Sequence, residues 1–213
     1  MKKFLHEWGS LIFIVLVILA IRLFVFEPVT VKGHSMDPTL ADGQKLIVSK
    51  VFQPERFDII TTVEPNDQSK VAVKRLIGLP GDTIEYKNDQ LLINGKAYNE
   101  PYLKDFKAKF AKDRLQEEYS YSSNYRNTAA TVSNFTQDFS IKVPEGKYFV
   151  MGDNRLVSLD SREFGFITKK LMRGEVVLRY FPFDEISTFK KLNIFNRYLI
   201  PMSQSKGIRY FLW

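Results

Sequence analysis

The chain has 213 residues, no cysteine, two histidines and a net charge of +7. Its 45% hydrophobic and 14% aromatic content exclude a disordered chain, and its length suits one or two domains with a real core. Without cysteine there are no disulfide frameworks, thiolate zinc sites or cysteine nucleophiles, and two histidines argue against a multi-histidine metal centre.

Leu11 to Ile21 are eleven apolar residues without a break, followed by Arg22 and Leu23-Phe24-Val25-Phe26. From Trp8 to Phe26 this stretch is roughly 28 Å long as a helix, close to the ~30 Å hydrocarbon core of a bilayer. Arg22 sits where its stem can snorkel to the headgroups, and Trp8, Phe24 and Phe26 where interfacial aromatics belong. A cleavable leader would need a small-x-small site after the apolar run, but bulky residues follow it and the next Ala after Ala20 is Ala41. The reading is an N-terminal tail and single uncleaved anchor over residues 1–27. The basic residues flanking the span are nearly balanced, so they do not set its orientation, although a long following domain can be translocated regardless of charge.

Short strands are predicted at Val29–Val31, Leu46–Val48, Phe57–Val63 and Val71–Ile77. The last closes on Gly78-Leu79-Pro80-Gly81-Asp82, with Pro80 and Gly81 placed for a type II turn. A meander follows at Asp82–Tyr86, Gln90–Ile93 and Lys96–Tyr98, with Asn94-Gly95 as a hairpin signal. Phe139–Val143, Tyr148–Met151 and Glu175–Tyr180 complete a mostly β set. Residues 28–102 and 138–186 therefore read as one β-rich core. Residues 103–137, charged and helix-compatible and then rich in Ser, Asn and Thr, read as an inserted subdomain or flexible excursion. The tail 187–213 is basic and aromatic, a composition suited to a membrane interface or to a poorly ordered end. The basic residues are dispersed and the chain is anchored, so nucleic acid is not an expected partner.

The candidate chemistry starts from exclusions. There is no HExxH, His6 precedes the anchor, and His34 is the neighbour of Ser35, which on an extended chain points to the opposite face. A hydrolase built from this chain would use a Ser or Thr activated by Lys, or a carboxylate pair. In Gly33-His34-Ser35-Met36-Asp37-Pro38-Thr39-Leu40, Gly33 permits close backbone approach and Pro38 is expected to hold Asp37 extended. Lys74 lies in the apolar run Val71-Ala72-Val73-Lys74-Arg75-Leu76-Ile77. It is either an edge-strand lysine that discourages aggregation or a desolvated amine whose pKa falls from ~10.4 to about 7–8, able to take a proton from a serine hydroxyl. The third segment is the polar loop from Gly152 to Arg162 after an apolar strand, which reads either as functional or as a solvated turn held by Asp160 and Arg162.

Taken together, Ser-Met-Asp-Pro-Thr-Leu at 35–40, Lys-Arg-Leu-Ile-Gly-Leu-Pro-Gly-Asp at 74–82 and Gly-Asp-Asn-Arg through Ser158, Asp160, Ser161 and Arg162 resemble the boxes of the type I signal peptidase family, in its short bacterial form with one anchor. Arg56-Phe57-Asp58-Ile59-Ile60 fits a further box more loosely, with Phe57 where Gly is frequent. The resemblance implies a membrane-anchored β-rich catalytic core and a serine endopeptidase that removes signal peptides from secretory preproteins by a Ser/Lys dyad, without metal or cofactor. It implies Ser35 as nucleophile and Lys74 as general base. Ser158 would orient the amine, Asp160 and Arg162 would brace the site, and Asp153 and Arg155 would support it. The Ser35 backbone N–H would be one oxyanion donor. Where some members carry a second hydroxyl donor, this chain has Gly33. Small residues before the cut imply shallow apolar pockets, for which Met36, Val71 and Ala72 are candidates. The expected setting is a cell membrane crossed once, with the catalytic domain on the extracytoplasmic face, in contact with the bilayer and transiently with the export machinery. Two rivals are a self-cleaving repressor, which would carry a DNA-binding domain where this chain has its apolar stretch, and a catalytically silent tethered β-domain.

Overall fold

The computed structural model describes residues 2–189, with side chains from Trp8 onward. Helix α1 (Lys2–Phe24) leads directly into β1 (Phe26–Thr30). Its apolar side chains from Leu11 to Leu19 stand exposed. Among the described residues no helix is long and apolar enough to cross a membrane.

Eight strands form the larger sheet. Its path runs β1, β2 (Lys45–Ser49), β11 (Met172–Phe181), β3 (Ile59–Glu64), β4 (Asp67–Gly78), β9 (Lys147–Met151) and β10 (Ile167–Thr168), with β12 (Ser187–Thr188) on β11. Every described pairing is antiparallel. A second sheet runs β7 (Lys96–Tyr98), β6 (Gln90–Ile93), β5 (Thr83–Lys87) and β8 (Phe139–Lys142). The expected meander is present, and Asn94 and Gly95 both take positive φ in the two-residue turn that pairs Ile93 with Lys96. Alternation along β5 and β6 buries Ile84, Tyr86, Leu91 and Ile93 against Ile77, Phe149 and Met151, joining the two sheets through one apolar cluster.

The strand expected at Phe57–Val63 starts at Ile59. Phe57 instead has φ 72°, in the left-handed region that glycine occupies without strain, and its carbonyl accepts from Arg75. Residues 35–39 form a turn. Leu40 N–H bonds the Met36 carbonyl and Asp37 N–H the His34 carbonyl, because folding the chain back buries Met36 and Leu40 against Leu46, Val48 and Val176.

Between β7 and β8 lie α2 (Lys104–Asp113) and α3 (Ser123–Thr131). Phe106 and Phe110, four residues apart, share one face of α2 and pack with Leu115, Tyr119, Ala129 and Phe135 in a largely aromatic cluster of their own. Ser122 caps α3 by accepting from the Tyr125 N–H. A short helix α4 (Ser161–Phe164) follows the polar loop, and the Asp160 carboxylate caps it. From residue 190 onward the basic and aromatic tail lies outside the described residues.

Candidate active site

A groove of about 590 Å³ runs beside β4. Residues 29–36 form one wall and residues 69–74 the other. The groove exists because β9 pairs only with Arg75–Gly78 of β4, so the N-terminal half of β4 is laddered on its β3 side alone. Ser35 and Lys74 both line it.

Lys74 faces inward from β4 and is only 3% exposed. Its Nζ donates to Ser158 Oγ at 3.1 Å. Burial is the largest influence on this amine and outweighs the attraction of the Asp160 and Glu64 carboxylates, lowering its pKa from 10.5 to about 8. The open choice between an edge lysine and a desolvated one is thereby decided for the second.

Ser35 is half-buried at the start of its turn. Its backbone carbonyl accepts from Asn154 N–H at 3.1 Å. The Asn154 carbonyl in turn accepts from Ser158 N–H, so one residue connects the Ser35 turn to the serine that holds Lys74. Gly152 makes this convergence possible. A Cβ there would lie 2.2 Å from Ser158 Oγ and 2.3 Å from the Ser35 carbonyl oxygen. Only a residue without a side chain lets the three chain segments meet.

Asp160 closes the loop from below. Its carboxylate is fully buried and accepts Arg162 Nε and Nη2, both at 2.8 Å, together with Gly152 N–H at 3.0 Å. Burial raises its pKa, but these donors outweigh burial and hold the carboxyl below its usual range. The neighbouring Ser161 Oγ accepts from Val150 N–H in β9, so the loop is tied to the sheet at successive residues.

A second pairing joins all three sequence segments. Asp153 accepts Arg75 Nε at 2.8 Å and Nη2 at 2.6 Å, and it accepts Thr39 Oγ1 at 2.5 Å. The Arg75 guanidinium also stacks on the Tyr102 ring at 3.8 Å. Thr39 belongs to the serine turn, Arg75 follows the lysine, and Asp153 leads the polar loop. The bidentate pair therefore ties the serine turn, the lysine strand and the polar loop together from outside the groove.

Arg155 turns the other way. It is fully buried and pairs with Glu100 and with the Tyr86 hydroxyl, while Nε donates to the Gly152 carbonyl at 3.0 Å. Glu100 also accepts from Tyr86 and Tyr102 hydroxyls at 2.7 and 2.8 Å. Its carboxyl is held below the usual range because Arg155, Lys107 and the Tyr86 hydroxyl outweigh burial. Glu100 was not a candidate from sequence, because nothing in Asn99-Glu100-Pro101 marks a carboxylate whose partner lies 55 residues away.

Of the proposed pocket residues, Met36 is 1% exposed and lies beneath the groove, part of the core cluster as well as its lining. Val71 is exposed and Ala72 half-buried on the opposite wall. His34 pairs through Nδ1 with Asp37 at 3.0 Å and stacks on Tyr121 with ring centroids 4.5 Å apart. Among the described residues no cluster of three or more His, Cys, Asp or Glu side chains is arranged to hold a metal.

The arrangement joins a hydroxyl at a turn, a dry amine held by a second hydroxyl, and an open strand edge beside both. The chain matches the family model described as signal peptidase, peptidase S26, over residues 5–181. It is 45% identical over 201 residues to a signal peptidase I of Streptococcus pneumoniae, covering 88% of this chain and 98% of that protein. It is also 45% identical over 192 residues to a signal peptidase I of Bacillus licheniformis, covering 87% and 93% respectively. A crystal structure of a signal peptidase I from Enterococcus faecalis shares 38% identity, covers 59% of this chain and 97% of that one, and superposes with a TM-score of 0.43. With the family model spanning most of the sequence and relatives matched nearly end to end, this chain belongs to the signal peptidase family, peptidase S26.

Proposed function

We propose that the chain cleaves signal peptides from exported preproteins with Ser35 as nucleophile and Lys74 as general base. The carrying observation is the buried amine of Lys74, bonded to Ser158 Oγ and lining the same groove as Ser35. Neutral Lys74 takes the Ser35 hydroxyl proton as Oγ attacks the scissile carbonyl. The resulting ammonium gives that proton to the departing amine as the C–N bond breaks, leaving an acyl ester on Ser35. Water then gives a proton to Lys74 and attacks the ester, and the proton returns to Ser35 as the acid leaves. Ser158 orients the amine for each transfer. Asp160 and Arg162 keep the loop that carries Ser158 in place, and the Ser35 N–H stabilises the oxyanion.

The substrate enters as an extended strand along residues 69–74, whose outer edge carries no ladder partner among the described residues. Met36, Val71 and Ala72 shape shallow apolar pockets that admit small side chains before the cut. The consecutive exposed apolar residues Leu11 to Leu19, which run all round α1, support reading this part of the chain as a single membrane anchor, with the catalytic domain at the extracytoplasmic surface of the cell membrane. Nine residues separate Phe26 from Ser35, at most ~30 Å of extended chain, so the nucleophile stays near the bilayer from which a signal peptide emerges.

The test incubates the detergent-solubilised full chain with a preprotein and maps the cut by mass spectrometry. Cleavage at the end of the signal peptide is expected, with complete loss in Ser35→Ala and in Lys74→Arg, whose guanidinium stays protonated. Near-normal turnover by Lys74→Arg would remove the lysine from the mechanism.

A further inference from the structure

The helical segment between β7 and β8 has its own aromatic cluster and contributes nothing to either sheet, yet Tyr121 reaches His34 beside Ser35 and Tyr119 reaches the polar loop at Asn154. Tyr119, 1% exposed, donates its hydroxyl to Asn154 Oδ1 at 2.6 Å. Asn154 is itself fully buried. Its N–H holds the Ser35 carbonyl and its C=O holds the Ser158 N–H. Its amide Nδ2 has no hydrogen-bond partner among the described residues. Tyr119 is therefore the one described hydrogen-bond partner of this side chain.

We propose that Tyr119 is a positioning residue: through Asn154 the helical segment holds Ser35 and the Lys74-orienting Ser158 in register. The inference rests on the Ser35/Lys74 reading above. Its physical basis is that Asn154 is held at three points, by Ser35 through its N–H, by Ser158 through its C=O and by Tyr119 through its side chain, so releasing the side chain lets the residue shift and loosens both backbone bonds. A small displacement is expensive, because a misplacement of about 1 Å between reacting groups costs on the order of 100-fold in rate. Burial pushes the Tyr119 phenol above its ordinary range, so it remains a hydrogen-bond donor across the working pH. Around it, Phe106 and Tyr125 pack edge-on at 6.1 and 5.6 Å, which locks the ring and leaves the hydroxyl with one direction. Tyr121 adds a second hold on the same turn by stacking against His34, the residue before the nucleophile.

The experiment compares wild type with Tyr119→Phe in the full chain, using a preprotein substrate well below each variant's melting temperature. Loss of the hydroxyl lowers kcat about tenfold and leaves KM within about twofold, since the groove walls are untouched. The pH at which kcat/KM rises stays at the wild-type value, because the amine's burial does not change. Tyr121→Leu, at a half-exposed ring, provides an independent variant that keeps the aromatic cluster and lowers kcat by a smaller factor. A merely structural role lowers the melting temperature and leaves kcat of the folded enzyme unchanged; that outcome in both variants overturns the proposal. Failure of wild type to cleave the preprotein, or full activity in Ser35→Ala, would instead refute the underlying assignment of the site.

Discussion

Keeping an amine dry has a stability cost that can be read directly. The Lys74 pKa falls from 10.5 unfolded to about 8 folded, chiefly through burial. Between those values the unfolded chain binds a proton that the folded chain does not, so stability rises with pH across that window. Below pH 8 the penalty is complete, and at about 1.36 kcal/mol per tenfold it amounts to about 3 kcal/mol. Lys74→Met keeps the volume of the side chain and removes the charge. It also removes the bond to Ser158, worth about 1 kcal/mol. The variant is therefore expected to be inactive but more stable than wild type by about 2 kcal/mol at pH 7, or about 4–8 °C in melting temperature. At pH 10 the wild-type penalty shrinks to under about 1 kcal/mol and the advantage disappears. Thermal unfolding of both proteins, followed by circular dichroism at pH 7 and pH 10 in the same detergent, measures this. A variant less stable than wild type by the same margin at both pH values would mean that Lys74 is a charged, structural partner, and the base assignment would fail with it.

The same amine sets the rate profile: kcat/KM is expected to rise about tenfold per pH unit up to about 8 and level off above it, and a profile flat from pH 6 to 9 would contradict this. Ser158→Ala removes the acceptor that holds Nζ and should lower kcat about 10- to 100-fold with near-normal unfolding; equal loss of fold and turnover would make Ser158 structural. Gly152→Ala forces a methyl into the Ser35 carbonyl and Ser158 Oγ, and should abolish cleavage while costing about 1–3 kcal/mol in a urea titration. Arg155→Met leaves the buried Glu100 carboxylate with Lys107 and two tyrosine hydroxyls but no guanidinium and should cost about 3 kcal/mol, part of which Arg155→Met/Glu100→Gln restores; if the double variant is no more stable than the single one, the pair is not the source of the loss.

Local chemistry alone determined the parts of this protein that depend on neighbours in sequence. Alternating apolar residues and an Asn-Gly turn specify the β5–β7 meander, because both signals act within a few residues. The lysine in an apolar strand was visible as an anomaly, although its neighbours allowed either an exposed edge or a dry interior. The start of β3 lies two residues later than the apolar run suggests, because the left-handed backbone at Phe57 is held by bonds to Leu76 and Arg75, distant in sequence. The turn at residues 35–39 depends on distant partners as well, since Met36 and Leu40 are buried against residues of β2 and β11. Only the tertiary structure decided that Lys74 is desolvated, since β9 and the loop from Gly152 to Asp160 must close around β4 to exclude water. The same is true of the Arg75–Asp153, Arg155–Glu100 and Tyr119–Asn154 contacts, which span 78, 55 and 35 residues. Composition and periodicity carry no record of which strands become neighbours, and it is that adjacency which places a hydroxyl, an amine and an unpaired strand edge in one groove.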